Sequence, residues 1–480
     1  MNLYGDFGLF IEGRWSASAS NATRPVIDPA NEKVIGTIPD ATEADLARAV
    51  ASAQAGFRTW RKVQPWDRAK ALRSVADLLR DRIEDLATIM VEETGKPRAE
   101  ALGEWGATAD QFEWHAEEAK RIYGHTLEGR QADVRLSVIF QPVGVVAAFS
   151  AWNFPALLPA RKIAAALAAG CSIILKPAGE APGSAMAIVK ACADAGIPDG
   201  TVNLVTGDSA AISKYLITSS AVAKISLTGS VPVGKQLMRL AAEGMKKVSM
   251  ELGGHAPVIV FADSNPQETA MACAAAKFRN AGQVCISPSR FYVHESIYQP
   301  FVDSFVESAR RLQLGHGRET GVTMGPMASQ RGQGGAKDLV ADALTQGAEL
   351  LSGGRVPAKF NHGFFFEPTV LGRVPDCARI MRDEPFAPIA PIATFTDYDE
   401  VIARANNVPF GLAGYVFSRD LRLATKAAED LETGMVGVND LLLATAEAPF
   451  GGIKESGMGR EGGMLGIRDY LEAKYIKTRL

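Results

Sequence analysis

From Gly144 onward the sequence alternates short apolar runs with stretches of helical character, and this alternation limits the fold more than any other feature. Val145–Phe149 precedes a helix over Leu157–Ala169, and Ser172–Leu175 precedes one near 183–195. Val202–Val205 leads into a helix near 208–217, and Lys224–Leu227 into one near 231–244. Apolar runs this short, each followed by a helix, predict βαβ units and a parallel sheet buried on both faces. Ligands of such sheets bind beyond the carboxyl ends of the strands. The residues that follow each run therefore hold the functional information.

After the first run comes Ser150-Ala-Trp-Asn-Phe-Pro155, where Asn153 is an amide in apolar surroundings and needs a partner if buried. A structural cap is the alternative reading of that residue. After the second run, Lys176 stands where a lysine can reach a ribose or phosphate, or simply point to solvent. After the fourth, Thr228-Gly-Ser-Val-Pro-Val-Gly234 opens a helix and offers backbone N–H groups to an anion. Its spacing is neither G-x-G-x-x-G nor a P-loop. Lys247–Gly254 then places Glu251 among apolar neighbours, where a carboxyl has a raised pKa and suits a general base, unless a lysine pairs with it. Ala276–Ser287 ends a helix-like run and delivers Cys285. A thiolate attacks carbonyls, although most lone cysteines are small buried hydrophobes.

The remainder of the chain excludes several classes. At 480 residues it exceeds one core. A net charge of −3 without a basic block disfavours nucleic acid. Five scattered cysteines without C-x-x-C, and no H-E-x-x-H, argue against a disulfide scaffold or a metal site and fit a reducing, cytoplasmic setting. Met1–Asp6 carries no leader pattern, and the apolar tract 144–160 is too broken by Asn153 and Pro155 to span a membrane. Ahead of the alternating region, Gly8–Trp15 reads as a hairpin turning at Glu12-Gly13. Thr42-Glu-Ala-Asp45 reads as a capping box for a helix over 43–59. Helices over Asp67–Glu93 and 98–121 follow, separated by Gly95-Lys-Pro97, and no chemistry is assigned to them. Ser137–Pro142 is strand-like, either an arm toward a partner subunit or a surface hairpin.

Taken in order, these residues resemble the aldehyde dehydrogenase superfamily over nearly the whole chain. The likeness rests on W-N-F-P at Trp152–Pro155, K-P at Lys176-Pro177, T-G-S at Thr228–Ser230 and E-L-G-G at Glu251–Gly254. It continues with G-Q-x-C at Gly282–Cys285, E-x-F-x-P at Glu384–Pro388 and P-F-G-G at Pro449–Gly452. The resemblance implies an α/β fold with a Rossmann-type cofactor domain (1–123 and 143–253) and an α/β catalytic domain (254–455). A small β oligomerisation arm (124–142 and 456–480) would complete it, in a homodimer or homotetramer. It implies that Cys285 attacks an aldehyde and that the Asn153 amide and the Cys285 N–H hold the oxyanion. Hydride then passes to NAD or NADP, and Glu251 activates water to hydrolyse the thioester; a base at this position favours release of the free acid over acyl transfer to a thiol. Glu461 resembles a proton-relay carboxylate. Lys176, Ser230 and Glu384 are implied to contact adenosine ribose, pyrophosphate and nicotinamide ribose, with Trp152, Gly229 and Phe386 beside them.

Within the superfamily, Arg161–Cys171, Lys277–Asn280 and Gly459–Gly462 resemble succinate-semialdehyde dehydrogenases, with 2-oxoglutarate-semialdehyde enzymes next. Arg161 and Arg279 match the two arginines that hold the distal carboxylate there, and a guanidinium fork suits a carboxylate. Arg161 recurs in other aldehyde dehydrogenases, so Arg279 discriminates more. A substrate-binding serine of those enzymes falls at Ala444, with Thr445 as the candidate substitute, so a longer semialdehyde or a plain aliphatic aldehyde is the alternative substrate. Gly179 stands where many NAD-preferring relatives carry Glu; the lack of that carboxylate admits NADP, and Glu180 partly restores the repulsion. The rival readings are a cofactor-free cysteine hydrolase with His255 as base, and a non-catalytic protein that keeps the fold.

Overall fold

The computed structural model describes residue 4 and residues 7–480; residues 1–3, 5 and 6, and with them the stretch read as leaderless, lie outside the described residues. The Thr42 capping box forms as read: the Thr42 hydroxyl accepts from Asp45 N and the Asp45 carboxylate accepts from Thr42 N, opening α1 (Glu43–Trp60). The single helix expected over 67–93 is two, α2 (Pro65–Asp81) and α3 (Ile83–Thr94). Arg82, at φ −104° and ψ 8°, leaves helical geometry between them, although the apolar spacing runs on across the break. Gly95, at φ 73°, closes α3 in the left-handed region that glycine tolerates. α4 (Arg98–Ala119) follows.

The four apolar runs and Lys247–Glu251 form five parallel strands in an eight-stranded sheet. Its spatial order is Arg14–Ser16, Leu9–Ile11, Val202–Leu204, Ser172–Lys176, Val145–Phe149, Val222–Thr228, Lys247–Glu251, Gly457–Met458. The alternation predicts a parallel sheet, and the sheet is parallel only across those five strands. The Leu9–Ser16 hairpin at one edge and Gly457–Met458 at the other pair antiparallel. Strand order reverses between Val145–Phe149 and Val222–Thr228, and that switch point opens a crevice at their carboxyl ends. The crossover helices are α5 (Leu157–Ala169), α6 (Gly183–Asp194), α7 (Ser209–Thr218) and α8 (Val231–Glu243). Every residue of α5 is buried, including Arg161 and Lys162.

A second sheet of seven strands, between Ala256 and Val438, has α9 (Pro266–Phe278), α10 (Tyr298–Arg310) and α11 (Gln330–Thr345) among its connections. All its neighbours are parallel except Glu349–Ser352. Cys285 lies just before its strand Pro288–His294, and Glu384 just before Ile389–Phe395. The amino ends of the second sheet thus face the carboxyl ends of the first. A third sheet pairs Leu471–Arg479 with Val134–Pro142 over nine residues, and His125–Glu128 with the other edge of Val134–Pro142. None of the described helices is long and apolar enough to cross a membrane.

Candidate active site

Cys285 is delivered by a strained turn. α9 ends at Phe278, and Asn280, Ala281 and Gly282 then adopt φ of 50°, 53° and 73° in succession. Only the glycine takes that conformation cheaply. A Cβ on Gly282 would lie 2.1 Å from the Ala387 carbonyl oxygen, so the 384–388 loop packs directly on the turn. Side chains hold the strained pair: Asn280 Nδ2 donates to the Asn153 carbonyl (2.9 Å), and Gln283 Nε2 donates to the Asn280 carbonyl (3.0 Å). After the cysteine, the Tyr415 hydroxyl donates to the Ile286 carbonyl at 2.7 Å.

Two cavities meet at this cysteine. A cleft of about 470 Å³ occupies the switch point of the first sheet, and a cavity of about 280 Å³ opens on the other side. Among the described residues, Cys285 is the one common to both walls.

The cleft brings together Trp152, Asn153, Lys176, Glu180, Gly229 and Ser230 from the first sheet. Glu251, Glu384 and Phe386 line it as well. Trp152 meets Phe386 edge-on, ring centroids 5.6 Å apart. Lys176 Nζ donates to Ser209 Oγ at 2.6 Å. Ser230 begins α8 without a side-chain cap, and with Gly229 and Val233 it brings the start of that helix to the cleft wall. Ser150 Oγ is buried there without a partner. A helix N-terminus, a lysine and orphaned donors fit a dinucleotide with its pyrophosphate. Gly179 is not on the wall, although Ala178 and Glu180 on either side are, and a Cβ at Gly179 would meet nothing within 4 Å. Ser150, Ser209 and Arg331 also line the cleft and were not singled out in the sequence; the two serines follow predicted strands, and that position was the available signal.

Glu251 is 3% exposed at the end of its strand, and neither carboxylate oxygen accepts a hydrogen bond. Burial first, and then the neighbouring Glu461 carboxylate, push its pKa up to about 7, against the pull of Arg161 and Lys162. No lysine pairs with it; Lys162 Nζ donates instead to Glu461 and, at 2.8 Å, to Thr228 Oγ1. Burial and the facing Glu251 carboxyl together hold the Cys285 thiol well above its ordinary pKa. The pair therefore rests as a neutral thiol beside a carboxyl that releases its proton near neutrality. Glu384 is likewise raised to about 7 by burial, while Gly254 N donates to it at 3.0 Å. A Cβ on Gly253 would lie 2.4 Å from Glu384 Oε2, so the glycine pair admits this carboxylate.

In the second cavity Arg161 lies 2% exposed over the Phe450 ring, its Nε without a partner. Arg279 stands at the mouth, exposed, over the Phe154 ring. Thr445 does not line the cavity; Ala444 does, and Thr445 N is turned back onto the Leu443 carbonyl. Lys96, Glu100 and Glu104, from the segment given no chemistry in the sequence, are on its wall. His255 lines neither cavity: it is buried with Nδ1 on Ser289 Oγ at 2.9 Å, so the thiol has no imidazole base there. Among the described residues no cluster of His, Cys, Asp and Glu could hold a metal ion.

Two parallel sheets meeting end to end across a cysteine define the class. The chain belongs to the aldehyde dehydrogenase family, whose model matches residues 15–476, and members of this family use NAD(P)+. Among its relatives, it is 44% identical to a glutarate-semialdehyde dehydrogenase of Pseudomonas putida, covering 97% of this chain and 96% of that one. It is 43% identical to an NADP(+) succinate-semialdehyde dehydrogenase of Escherichia coli, covering 99% and 98%. The crystal structure of succinate-semialdehyde dehydrogenase from Burkholderia pseudomallei superimposes with a TM-score of 0.97 at 43% identity, over 99% of this chain and 98% of that one.

Proposed function

We propose that the protein oxidises an ω-carboxy aldehyde, with succinate semialdehyde the first candidate and the five-carbon homologue next, to the dicarboxylate through a thioester on Cys285. The carrying observation is that Cys285 alone joins a dinucleotide-shaped cleft to a cavity faced by two guanidinium groups. The aldehyde carbonyl sits at the sulfur, its tail carboxylate toward Arg279 and Arg161. Glu251 is the base that relieves the thiol of its proton as sulfur bonds to the carbonyl carbon. The Asn153 amide and the Cys285 backbone N–H hold the oxyanion. NAD(P)+ bound in the cleft supplies the hydride acceptor. Glu251, emptied of its proton to solvent, then takes one from the water that hydrolyses the thioester. Glu461 passes that proton on, held in place by Lys162.

Trp152, Lys176, Gly229, Ser230, Glu384 and Phe386 bind the nucleotide in this reading. Gly179 leaves the ribose end without a carboxylate at that position, which favours NADP slightly over NAD, and a relative is named for NADP(+). The apolar rim of Leu442, Ala444 and Phe450 suits the longer homologue, and a relative is named for glutarate semialdehyde. The cofactor and catalytic domains correspond to segments 1–123 with 143–253 and 254–455. Exposed Ile139, Tyr475 and Ile476 on the third sheet support a homodimer or homotetramer, and five free cysteines suit the cytoplasm. The test is absorbance of reduced nicotinamide with succinate, glutarate and 2-oxoglutarate semialdehydes and a plain aliphatic aldehyde, each with NAD+ and NADP+. Preference for one ω-carboxy aldehyde supports the reading. Equal turnover of the aliphatic aldehyde removes the carboxylate pocket from it, and no signal with any pair removes the activity.

A further inference from the structure

In the reading above, the oxyanion is held by groups from two different segments, the Asn153 loop and the Cys285 turn, and neither lies within a regular helix or strand. The turn contains two non-glycine residues in left-handed geometry. The Asn153 loop leads into α5, whose N-cap Ala156 has no side chain to cap it. Both segments are fastened to the start of α4. Glu104 supplies the missing cap: its Oε1 accepts from Ala156 N (2.9 Å) and Leu157 N (3.2 Å). Glu100, one turn earlier on the same face, accepts from Asn280 N at 2.9 Å through Oε2. Lys96 Nζ bonds Glu104 Oε2 at 2.6 Å and the Asn153 carbonyl at 3.0 Å. That carbonyl also accepts from Asn280 Nδ2, and the Asn153 amide donates to the Gln283 carbonyl at 3.2 Å. The Lys96–Glu104 pair is 1% exposed on each side. A buried ion pair is poor evidence of net stability but fixes geometry where further hydrogen bonds complete it.

We propose that Lys96, Glu100 and Glu104 are positioning residues, acting through Asn153 and Asn280 to set the separation of the two oxyanion-binding groups. The proposal rests on the reading of Asn153 and Cys285 given above. The spacing is one helical turn of α4, a rigid ruler between two irregular segments. Because all three residues also line the substrate cavity, the competing role is direct contact with the aldehyde.

The decisive comparison is Glu100→Ala against Glu100→Gln, with Glu100→Ser in reserve should the alanine variant fail to fold. Glutamine keeps an acceptor for Asn280 N and removes the charge. Expected is a single-turnover rate of reduced-nucleotide formation at least tenfold lower in Glu100→Ala with KM for the aldehyde within twofold, since small misplacements of reacting groups are expensive in rate. Glu100→Gln is expected within threefold of the parent. In an Asn153→Ala background, Glu100→Ala is expected to lower the rate less than twofold, because with one of the two oxyanion-binding groups removed no separation is left to set. A raised KM at unchanged rate assigns Glu100 to the substrate and overturns the proposal. So does a glutamine variant as slow as alanine, which makes the charge the agent, or full additivity with Asn153→Ala. An Asn153→Ala single variant with parental rate defeats the oxyanion reading itself, a separate outcome.

Discussion

The Glu251 carboxyl and the Cys285 thiol face one another in a buried pocket, where burial raises both pKa values and the carboxyl raises that of the thiol further. Their titration belongs to the pair, so one macroscopic step near pH 7 is expected in kcat, with activity rising as Glu251 ionises. Glu251→Gln removes that step and lowers kcat by about 10²- to 10⁴-fold. The same carboxyl has a stability signature. Between the ordinary 4.5 and about 7 the native state keeps a proton that the unfolded chain has released, so its contribution to stability falls as pH rises through that window. Glu251→Gln is therefore expected to unfold at higher temperature than the parent at pH 8, by up to about 3 kcal/mol of stability, and to match it near pH 4.5. Melting curves at the two pH values check this; a glutamine variant less stable at pH 8 counts against the buried, unpaired carboxyl.

In the proposed reading Arg279, exposed on the wall of the second cavity, is the more selective of the two guanidinium groups. Arg279→Ala is expected to raise KM for an ω-carboxy aldehyde by roughly 10- to 100-fold, the worth of a charge-assisted hydrogen bond, and to leave an aliphatic aldehyde of equal length within twofold. Steady-state kinetics on the two substrates decide it, and an unchanged KM for the acid aldehyde sinks the assignment.

Gly179 offers a substitution without steric cost, since no atom lies within 4 Å of its would-be Cβ. Gly179→Glu places a carboxylate near the ribose end of the cleft. It is expected to raise KM for NADP+ at least tenfold and that for NAD+ less than threefold, through repulsion of the 2′-phosphate. Equal effects on both cofactors mean that this end of the cleft does not read the phosphate.

Gly282→Ala is expected to be among the more damaging single-methyl additions in the chain. It combines φ of 73° with a backbone oxygen 2.1 Å from the new carbon, so the 384–388 loop must shift. Loss of most activity with a lowered melting temperature is expected, read by turnover and by calorimetry; a parental melting temperature contradicts the packing described.

The parallel strands were legible because most of their residues are buried on both faces, so that short, mainly apolar runs alternate with helices even where Asn203, Lys224 or Ser226 interrupts them. The hairpin at one edge was legible too, from its turn at Glu12-Gly13, and it forms as Leu9–Ile11 against Arg14–Ser16; Gly457–Met458 at the other edge was not, because two residues carry no pattern. The break at Arg82 was hidden because residues on both sides keep the helical spacing of apolar positions. At the site, Cys285, Glu251 and Asn153 could be named, since each is a polar or reactive group in an apolar stretch. Lys96, Glu100 and Glu104 were assigned no chemistry, because nothing local distinguishes a charged residue aimed at solvent from one aimed at a distant loop. Thr445 was offered for its hydroxyl, but Ala444 and not Thr445 lines the cavity.

The meeting of two cavities at one sulfur has a consequence for traffic. On the proposed reading, aldehyde and dinucleotide reach Cys285 through separate doors, so neither must leave for the other to enter or depart. A plug fitted to the door guarded by Arg279 competes with the aldehyde and leaves the opposite door open to the nucleotide. Blockade of one passage is therefore not relieved by flooding the other.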